Sequence, residues 1–329
     1  MQPKKVFVTR RIPEKGLEIL RRECAVEIWP GDMPPTPDEL KKGAEDAAGI
    51  LSLLTDRIDA AVMDAAGSGL KVISNYAVGY DNIDIPEATR RGITVGNTPG
   101  VLTEATADHT FALLMAAARR VAEGDRQVRA GGWRTWEPMG LLGADIHGAV
   151  LGLVGFGRIG QAMARRAAGF GMRVLYHDPG YQGKEPLPGN AAAANLEKVL
   201  AESDFVSLHV PLTDQTRRMF NQTVFNSMKT GAILINTSRG GVVDQGALYD
   251  ALKSGRLAAA GIDVTEPEPL PKDSPLLTLD NLVITPHIAS ASRSTRERMA
   301  VMAAQNLLAG LKGEKLPNPV NPEVFRENN

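Results

Sequence analysis

The stretch Val150-Leu151-Gly152-Leu153-Val154-Gly155-Phe156-Gly157-Arg158-Ile159-Gly160 decides how the chain reads. Val150 to Val154 is an apolar run of strand length, and the glycines after it stand in the spacing G-x-G-x-x-G. Gln161 to Phe170 behind them has helical character, with Gly171 suited to stop it. Strand, glycines and helix in that order give each glycine a task. Gly155 permits a tight turn, Gly157 lets the backbone approach a pyrophosphate, and Gly160 lets helix and strand pack closely. The amides of Arg158 and Ile159 then face an anion at the helix N-terminus. Arg173 to His177 reads as the next strand and ends at Asp178, 18 residues beyond Gly160. A carboxylate near that spacing accepts ribose hydroxyls and repels a 2′-phosphate, which favours NAD(H) as cofactor. The competing reading is a ligand-free tight turn in which Asp178 only starts a bend with Pro179 and Gly180.

Further strands are expected at Asp204 to Val210, Ala232 to Asn236, Ala259 to Val264 and Leu282 to Thr285, six in all from Val150. Before the glycine motif, Lys5 to Thr9, Ala25 to Ile28, Gly49 to Leu53, Val72 to Asn75 and Ile93 to Val95 alternate with helical stretches such as Pro13 to Glu23 and Asp59 to Ala66. This alternation is the signature of α/β domains on parallel sheets, and 329 residues suffice for two of them. Thr103 to about Arg120 reads as a helix joining the two series, Ser294 to Leu311 as a closing helix that returns to the first domain, and Ala191 to Ala194 as helix or loop filler. The expected division is a substrate domain of residues 1–99 and 288–329 around an inserted dinucleotide-binding domain of residues 100–287.

Composition removes several function classes. Hydrophobic residues at 43% and charged ones at 23% match an ordinary soluble globular chain. Thirty-seven basic against 38 acidic residues leave no basic footprint for nucleic acid. One cysteine, Cys24, permits neither an internal disulfide nor a multi-cysteine zinc site, and no metal is expected. No apolar run resembles a signal peptide or reaches the ~20 residues of a membrane span. A cytoplasmic location with no membrane partner is the expectation.

A bound nicotinamide needs groups that position a carbonyl and move a proton, and these belong at the carboxyl ends of strands. Three polar residues stand after three successive strands: Arg239, Glu268 and His287. Arg239 carries a permanent forked charge that can hold a carboxylate and polarise a carbonyl. His287 can give a proton during reduction and take it back during oxidation, and Glu268 bonded to the ring would orient it. Taken singly, each has a plainer reading: Arg239 as a salt-bridge partner of Asp263 or a turn cap, Glu268 as a solvated acid beside Glu266, His287 as a packed ring after Pro286. Of the other histidines, His109 reads as a packing or cleft residue in its apolar helix, His147 as a turn residue, His177 as a neighbour of the adenosine end, and His209 as a residue lining the cofactor cleft.

With Asn75-Tyr76-Ala77-Val78-Gly79-Tyr80-Asp81-Asn82-Ile83-Asp84, Gly92-Ile93-Thr94-Val95-Gly96-Asn97-Thr98-Pro99, the glycine loop, Asn236-Thr237-Ser238-Arg239-Gly240, Gly261-Ile262-Asp263-Val264-Thr265-Glu266-Pro267-Glu268-Pro269 and Thr285-Pro286-His287-Ile288-Ala289-Ser290, the chain resembles the D-isomer-specific 2-hydroxyacid dehydrogenase family. The resemblance is nearest to the glyoxylate/hydroxypyruvate reductase branch and covers nearly the whole chain. It implies a Rossmann cofactor domain inserted in a flavodoxin-like substrate domain, with Arg239, Glu268 and His287 as the catalytic set. It further implies that amides near Val78 and Gly79 bind the substrate carboxylate, that Trp136 from a neighbouring subunit of a homodimer shapes the pocket, and that Thr106, Pro211, Thr237, Asp263 and Ala289 join Arg158, Ile159 and Asp178 at the cofactor. Many reductases of the branch prefer NADPH and carry an arginine-rich segment after the second strand. Asp178-Pro179-Gly180-Tyr181 departs from that, while Lys184 leaves NADP(H) open. The implied reaction is hydride transfer between NAD(P)H and a small 2-oxo acid. The alternatives are 3-phosphoglycerate dehydrogenase and, in another class, a dinucleotide-sensing transcriptional corepressor.

Overall fold

A computed structural model describes residues 3–183 and 187–325, so Lys184 lies outside the described residues. The chain forms two compact units, Met1–Leu102 with Ala291–Asn329, and Thr103–Ser290.

The first unit alternates β1 (Lys4–Val8), α1 (Glu14–Arg21), β2 (Cys24–Ile28), α2 (Pro37–Ala44), β3 (Gly49–Ser52), α3 (Ala60–Ala66), β4 (Val72–Asn75), α4 (Ile85–Arg90) and β5 (Thr94–Gly96). The strands pair in parallel in the order β2-β1-β3-β4-β5. β3 and β4 are buried throughout and so do not alternate apolar with polar, and their polar residues Ser52, Ser74 and Asn75 are buried with hydrogen-bond partners. Helix starts follow local chemistry. Thr36 and Glu39 make a reciprocal capping box for α2, and the carboxylates of Asp59 and Asp84 accept first-turn amides of α3 and α4.

The second unit contains α5 (Thr103–Ala118), α6 (Val121–Arg129), β6 (Val150–Val154), α7 (Arg158–Ala168), β7 (Arg173–His177), β8 (Ala192–Ala193), α8 (Leu196–Glu202), β9 (Phe205–Leu208), α9 (Gln222–Ser227), β10 (Ala232–Asn236), α10 (Gln245–Lys253), β11 (Leu257–Ile262) and β12 (Leu282–Ile284). Its parallel sheet runs β12-β11-β10-β9-β6-β7-β8. The chain leaves β6 toward β7 and β8, then crosses back to β9, so the strand order reverses between β6 and β9. Alternate residues feed two cores. Leu151, Leu153, Ile233 and Ile235 pack with α5 and α7, whereas Val154, Val206, Leu208 and Leu234 pack with α8, α9 and α10. A last helix, α11 (Arg293–Lys312), belongs to the first unit and packs on α1. A Cβ on Gly16 would stand 2.7 Å from the Ala300 carbonyl oxygen, so only glycine permits that approach.

Several local expectations need correction. Ala191 to Ala194 is not helix or filler: Ala192–Ala193 pairs with β7 as a seventh, edge strand. Alanine has little intrinsic strand preference, so only the free edge of β7 specifies this pairing. The joining helix stops at Ala118 because Arg120 takes a left-handed φ of 51° and starts α6, which periodicity had merged with it. α7 begins at Arg158 and ends at Ala168; Gly171, at φ 62°, turns the chain into β7 two residues past the helix cap. Among the described residues no helix is long and apolar enough to cross a membrane.

Candidate active site

β10, β11 and β12 are neighbours, so the segments carrying Arg239, Glu268 and His287 leave one edge of the sheet side by side. The Asn236 side chain shapes the first loop: its oxygen accepts from the Ser238 amide and hydroxyl, and its Nδ2 donates to the Arg239 carbonyl at 2.9 Å. Arg239 is half-buried and donates from Nη1 to the Ser238 carbonyl at 2.8 Å. A Cβ on Gly240 would fall 2.1 Å from the Thr265 carbonyl group, so glycine lets the Arg239 loop lie against the loop carrying Glu268. Glu268 Oε1 accepts the Thr265 amide at 3.0 Å, and Oε2 lies 2.8 Å from His287 Nδ1. A carboxylate can only accept, so Nδ1 carries the proton in that bond and Nε2 is left for a substrate.

Asp263, carried over as a cofactor contact, is 1% exposed and turns inward. It accepts from Thr285 Oγ1 at 2.5 Å and from the amides of Ile288 and Ala289 at 2.8 and 2.7 Å. The side chain near its carboxylate is His109, with Nε2 3.4 Å from Oδ1, and not the Arg239 suggested by the plainer reading. Burial opposes its charge, yet the hydrogen bonds from His109, Thr285 and the two amides outweigh burial and hold the carboxyl below its ordinary range.

The glycine loop fits a dinucleotide. Gly155 has φ 94°, and a Cβ there would stand 2.7 Å from the His209 backbone; one on Gly160 would stand 2.4 Å from the Gly155 carbonyl oxygen. Those two glycines are required by packing. Gly157 is not, since a Cβ there would meet open space, and it forms the N-cap of α7 with no side-chain cap on the first-turn amides. That open face with unclaimed donors, the Arg158 and Ile159 amides among them, suits a pyrophosphate. Asp178 does more than the motif implies: Oδ2 accepts the Phe156 amide at 2.7 Å and Oδ1 the Gly180 amide at 3.0 Å. Both the ligand role and the turn role are available to it, because each carboxylate oxygen has a further lone pair for a ribose hydroxyl.

Thr106 and Thr237 meet through Thr110, whose hydroxyl donates to the Thr106 carbonyl at 2.7 Å and lies 2.7 Å from the Thr237 hydroxyl. Pro211 follows β9, and its carbonyl accepts from Thr216. His209 sits between them and the glycine loop, with Nε2 2.9 Å from Ser207 Oγ. Although the residue as a whole is half-buried, burial of the imidazole pushes it down to about 3. The folded state therefore keeps His209 neutral while an unfolded chain protonates it below about pH 6.5. Stability is present above that pH and falls as pH drops toward about 3, by up to ~1.4 kcal/mol per unit. His209→Gln, which cannot titrate, should flatten the decline of the unfolding midpoint between pH 6.5 and 4. An unchanged slope in a thermal melt series would refute the assignment.

In the first unit, the loop with Val78 and Gly79 is tied by buried side chains. Asn97 Nδ2 donates to the Val78 carbonyl at 2.7 Å, Asn75 Nδ2 donates to the Gly79 carbonyl at 2.8 Å, and Asn75 Oδ1 accepts from Ser52 at 3.0 Å. Sequence reading had no role for Asn75, Asn97 or Ser52. In the second unit Trp136 is 79% exposed, and Val121, Val128, Trp133, Met139 and Leu142 of the same segment are exposed with it.

The model of the D-isomer specific 2-hydroxyacid dehydrogenase NAD binding domain matches residues 111–289. The chain is 55% identical over 327 residues to the glyoxylate reductase of Korarchaeum cryptofilum, covering 99% of this chain and 98% of that protein. A solved protein of Thermus thermophilus superposes with a TM-score of 0.90 at 55% identity, spanning 96% of this chain and 99% of that one. An NADPH-dependent glyoxylate/hydroxypyruvate reductase of Sinorhizobium meliloti, solved in complex with NADP and malonate, gives 0.84 at 31% identity and spans 98% of each chain. The glycine loop, the acid–imidazole pair and these similarities converge: the chain belongs to the D-isomer specific 2-hydroxyacid dehydrogenase family, and its second unit carries the family's NAD-binding domain.

Proposed function

We propose that this protein reduces a small 2-oxo acid, glyoxylate or hydroxypyruvate, to the corresponding 2-hydroxy acid with NAD(P)H. The 2.8 Å bond between His287 Nδ1 and Glu268 Oε2 carries the reading: it occupies the Nδ1 proton and favours the doubly protonated ring, whose Nε2–H is then the proton to be given, on the sheet edge that also bears Arg239. The nicotinamide supplies the hydride. Arg239 holds the substrate carboxylate and draws electron density toward the carbonyl oxygen. His287 gives its Nε2 proton to that oxygen as the carbonyl carbon gains the hydride, and Glu268 steadies the ring through both protonation states. In the first unit, the Asn75 and Asn97 ties brace the loop whose Val78 and Gly79 amides the family resemblance assigns to a carboxylate. Gly155, Gly157, Gly160, Arg158 and Ile159 hold the pyrophosphate, and Asp178 the adenosine ribose. The exposed apolar segment around Trp136 is the contact of a homodimer, to be checked by mass in solution.

Steady-state reduction of glyoxylate, hydroxypyruvate and pyruvate with NADH and NADPH tests the reading, with 3-phosphoglycerate oxidation as the rival. Turnover of 3-phosphoglycerate alone, or of no 2-oxo acid, would overturn it. The Sinorhizobium relative is NADPH-dependent, yet a carboxylate at position 178, after the second strand of the motif, disfavours a 2′-phosphate by charge. Asp178→Ser is expected to raise the NADPH to NADH ratio of kcat/KM by about tenfold, through about 1.4 kcal/mol of lost repulsion. It should also lower stability by roughly 1–2 kcal/mol, since the Phe156 amide loses its acceptor. A variant that still rejects NADPH as the parent does would refute the charge argument.

A further inference from the structure

His287 has a left-handed φ of 55°, a conformation that a non-glycine residue keeps only when its surroundings hold it. The groups that hold it are hydrogen-bond partners of one residue. The His287 amide donates to the Asp263 carbonyl at 2.9 Å and to the Thr285 carbonyl at 3.1 Å. The next two amides, of Ile288 and Ala289, donate to the Asp263 carboxylate. Three consecutive N–H groups thus converge on Asp263, and the orientation of the proposed proton donor depends on where that side chain points.

What points Asp263 is a helix above the sheet. His109 on α5 has Nε2 3.0 Å from Thr285 Oγ1 and 3.4 Å from Asp263 Oδ1. Proton accounting fixes the direction of the chain of bonds. Thr285 has one hydroxyl proton, and it goes to the carboxylate at 2.5 Å, because an ionised Asp263 can only accept. Thr285 Oγ1 must then accept from His109, so the hydrogen sits on His109 Nε2. Among the hydrogen bonds that keep Asp263 ionised despite its burial, the one from His109 is the largest contribution.

We infer that His109 is a positioning residue for the reductase reaction: its Nε2–H, through Thr285 and Asp263, locks the left-handed turn that presents His287. The inference rests on the reductase reading for the role of His287, but the lock itself is a property of the fold. An aliphatic side chain would fill the same place in α5 while leaving Thr285 Oγ1 without the His109 donor and Asp263 Oδ1 with only Thr285 and the Ile288 amide. Glutamine places an amide N–H close to where Nε2 stands.

The test compares His109→Leu, His109→Gln and Thr285→Val in the full chain, by hydrogen exchange of the 287–289 amides and by glyoxylate reduction with NADH. In the Leu and Val variants these amides should exchange at least tenfold faster and kcat should fall at least tenfold, with the Kd for NADH within about threefold. Gln should restore both exchange and kcat to within about threefold of the parent, which a simple packing role would not predict. Exchange at 287–289 unchanged in both His109→Leu and Thr285→Val, or Gln behaving like Leu, would overturn the inference. A parent protein that reduces no 2-oxo acid would instead overturn the activity reading, while the exchange comparison would still decide whether the lock exists.

Discussion

His287→Asn should lower kcat for glyoxylate reduction by about 10³-fold, within the range of roughly 10²- to 10⁴-fold that a positioned acid–base group supplies. Asparagine is chosen because it tolerates the left-handed φ of 55° that position 287 requires, so the backbone of the turn survives. Alanine would mix lost chemistry with backbone strain. The asparagine amide cannot cycle a proton at neutral pH, so the substrate's carbonyl oxygen would have to take its proton from water. NADH affinity, set on the other side of β9 by the glycine loop and Asp178, should stay within about threefold by fluorescence titration. A kcat reduced by less than tenfold would remove His287 from the mechanism.

Arg239→Ala should cost about 10³-fold in kcat/KM, equivalent to ~4 kcal/mol of transition-state stabilisation. The magnitude follows from losing a charge-assisted forked contact to a carboxylate together with the pull on the carbonyl. Arg239→Lys keeps the charge but not the planar fork, and should recover no more than about tenfold of the loss. The loop itself is expected to persist, because the Asn236 side chain ties the backbone of residues 238 and 239. NADH should therefore bind both variants with nearly the parent affinity. Full reductase activity in Arg239→Ala would leave the half-buried guanidinium with a structural duty only.

The two variants probe different strand ends, and those positions are legible in the chain itself. The buried central strand Ala232–Asn236 presents an apolar run to both faces of the sheet, and the edge strand Leu282–Ile284 still carries an unbroken Leu-Val-Ile run, so the polar residues after each stand out in the sequence. The other edge strand, β8, lacks that contrast. Ala192 and Ala193 pair with β7 without any apolar run to mark them. Asp178 shows a different limit: spacing singled out the carboxylate proposed to meet the ribose, but its bond to the Phe156 amide depends on how β6 and β7 align.

Periodicity and glycine spacing by themselves determined the class of fold and the dinucleotide loop, and residue chemistry singled out the arginine, acid and histidine proposed for the reaction, because each is written locally over a few residues. Only the tertiary structure decided that Asp263 faces inward, that the distant His109 is its partner, and that Asn75 and Asn97 brace the Val78–Gly79 loop. Such links depend on which way a buried side chain turns once helices and sheet have packed. A hydrogen bond between distant residues leaves no period or spacing in the chain from which to read it.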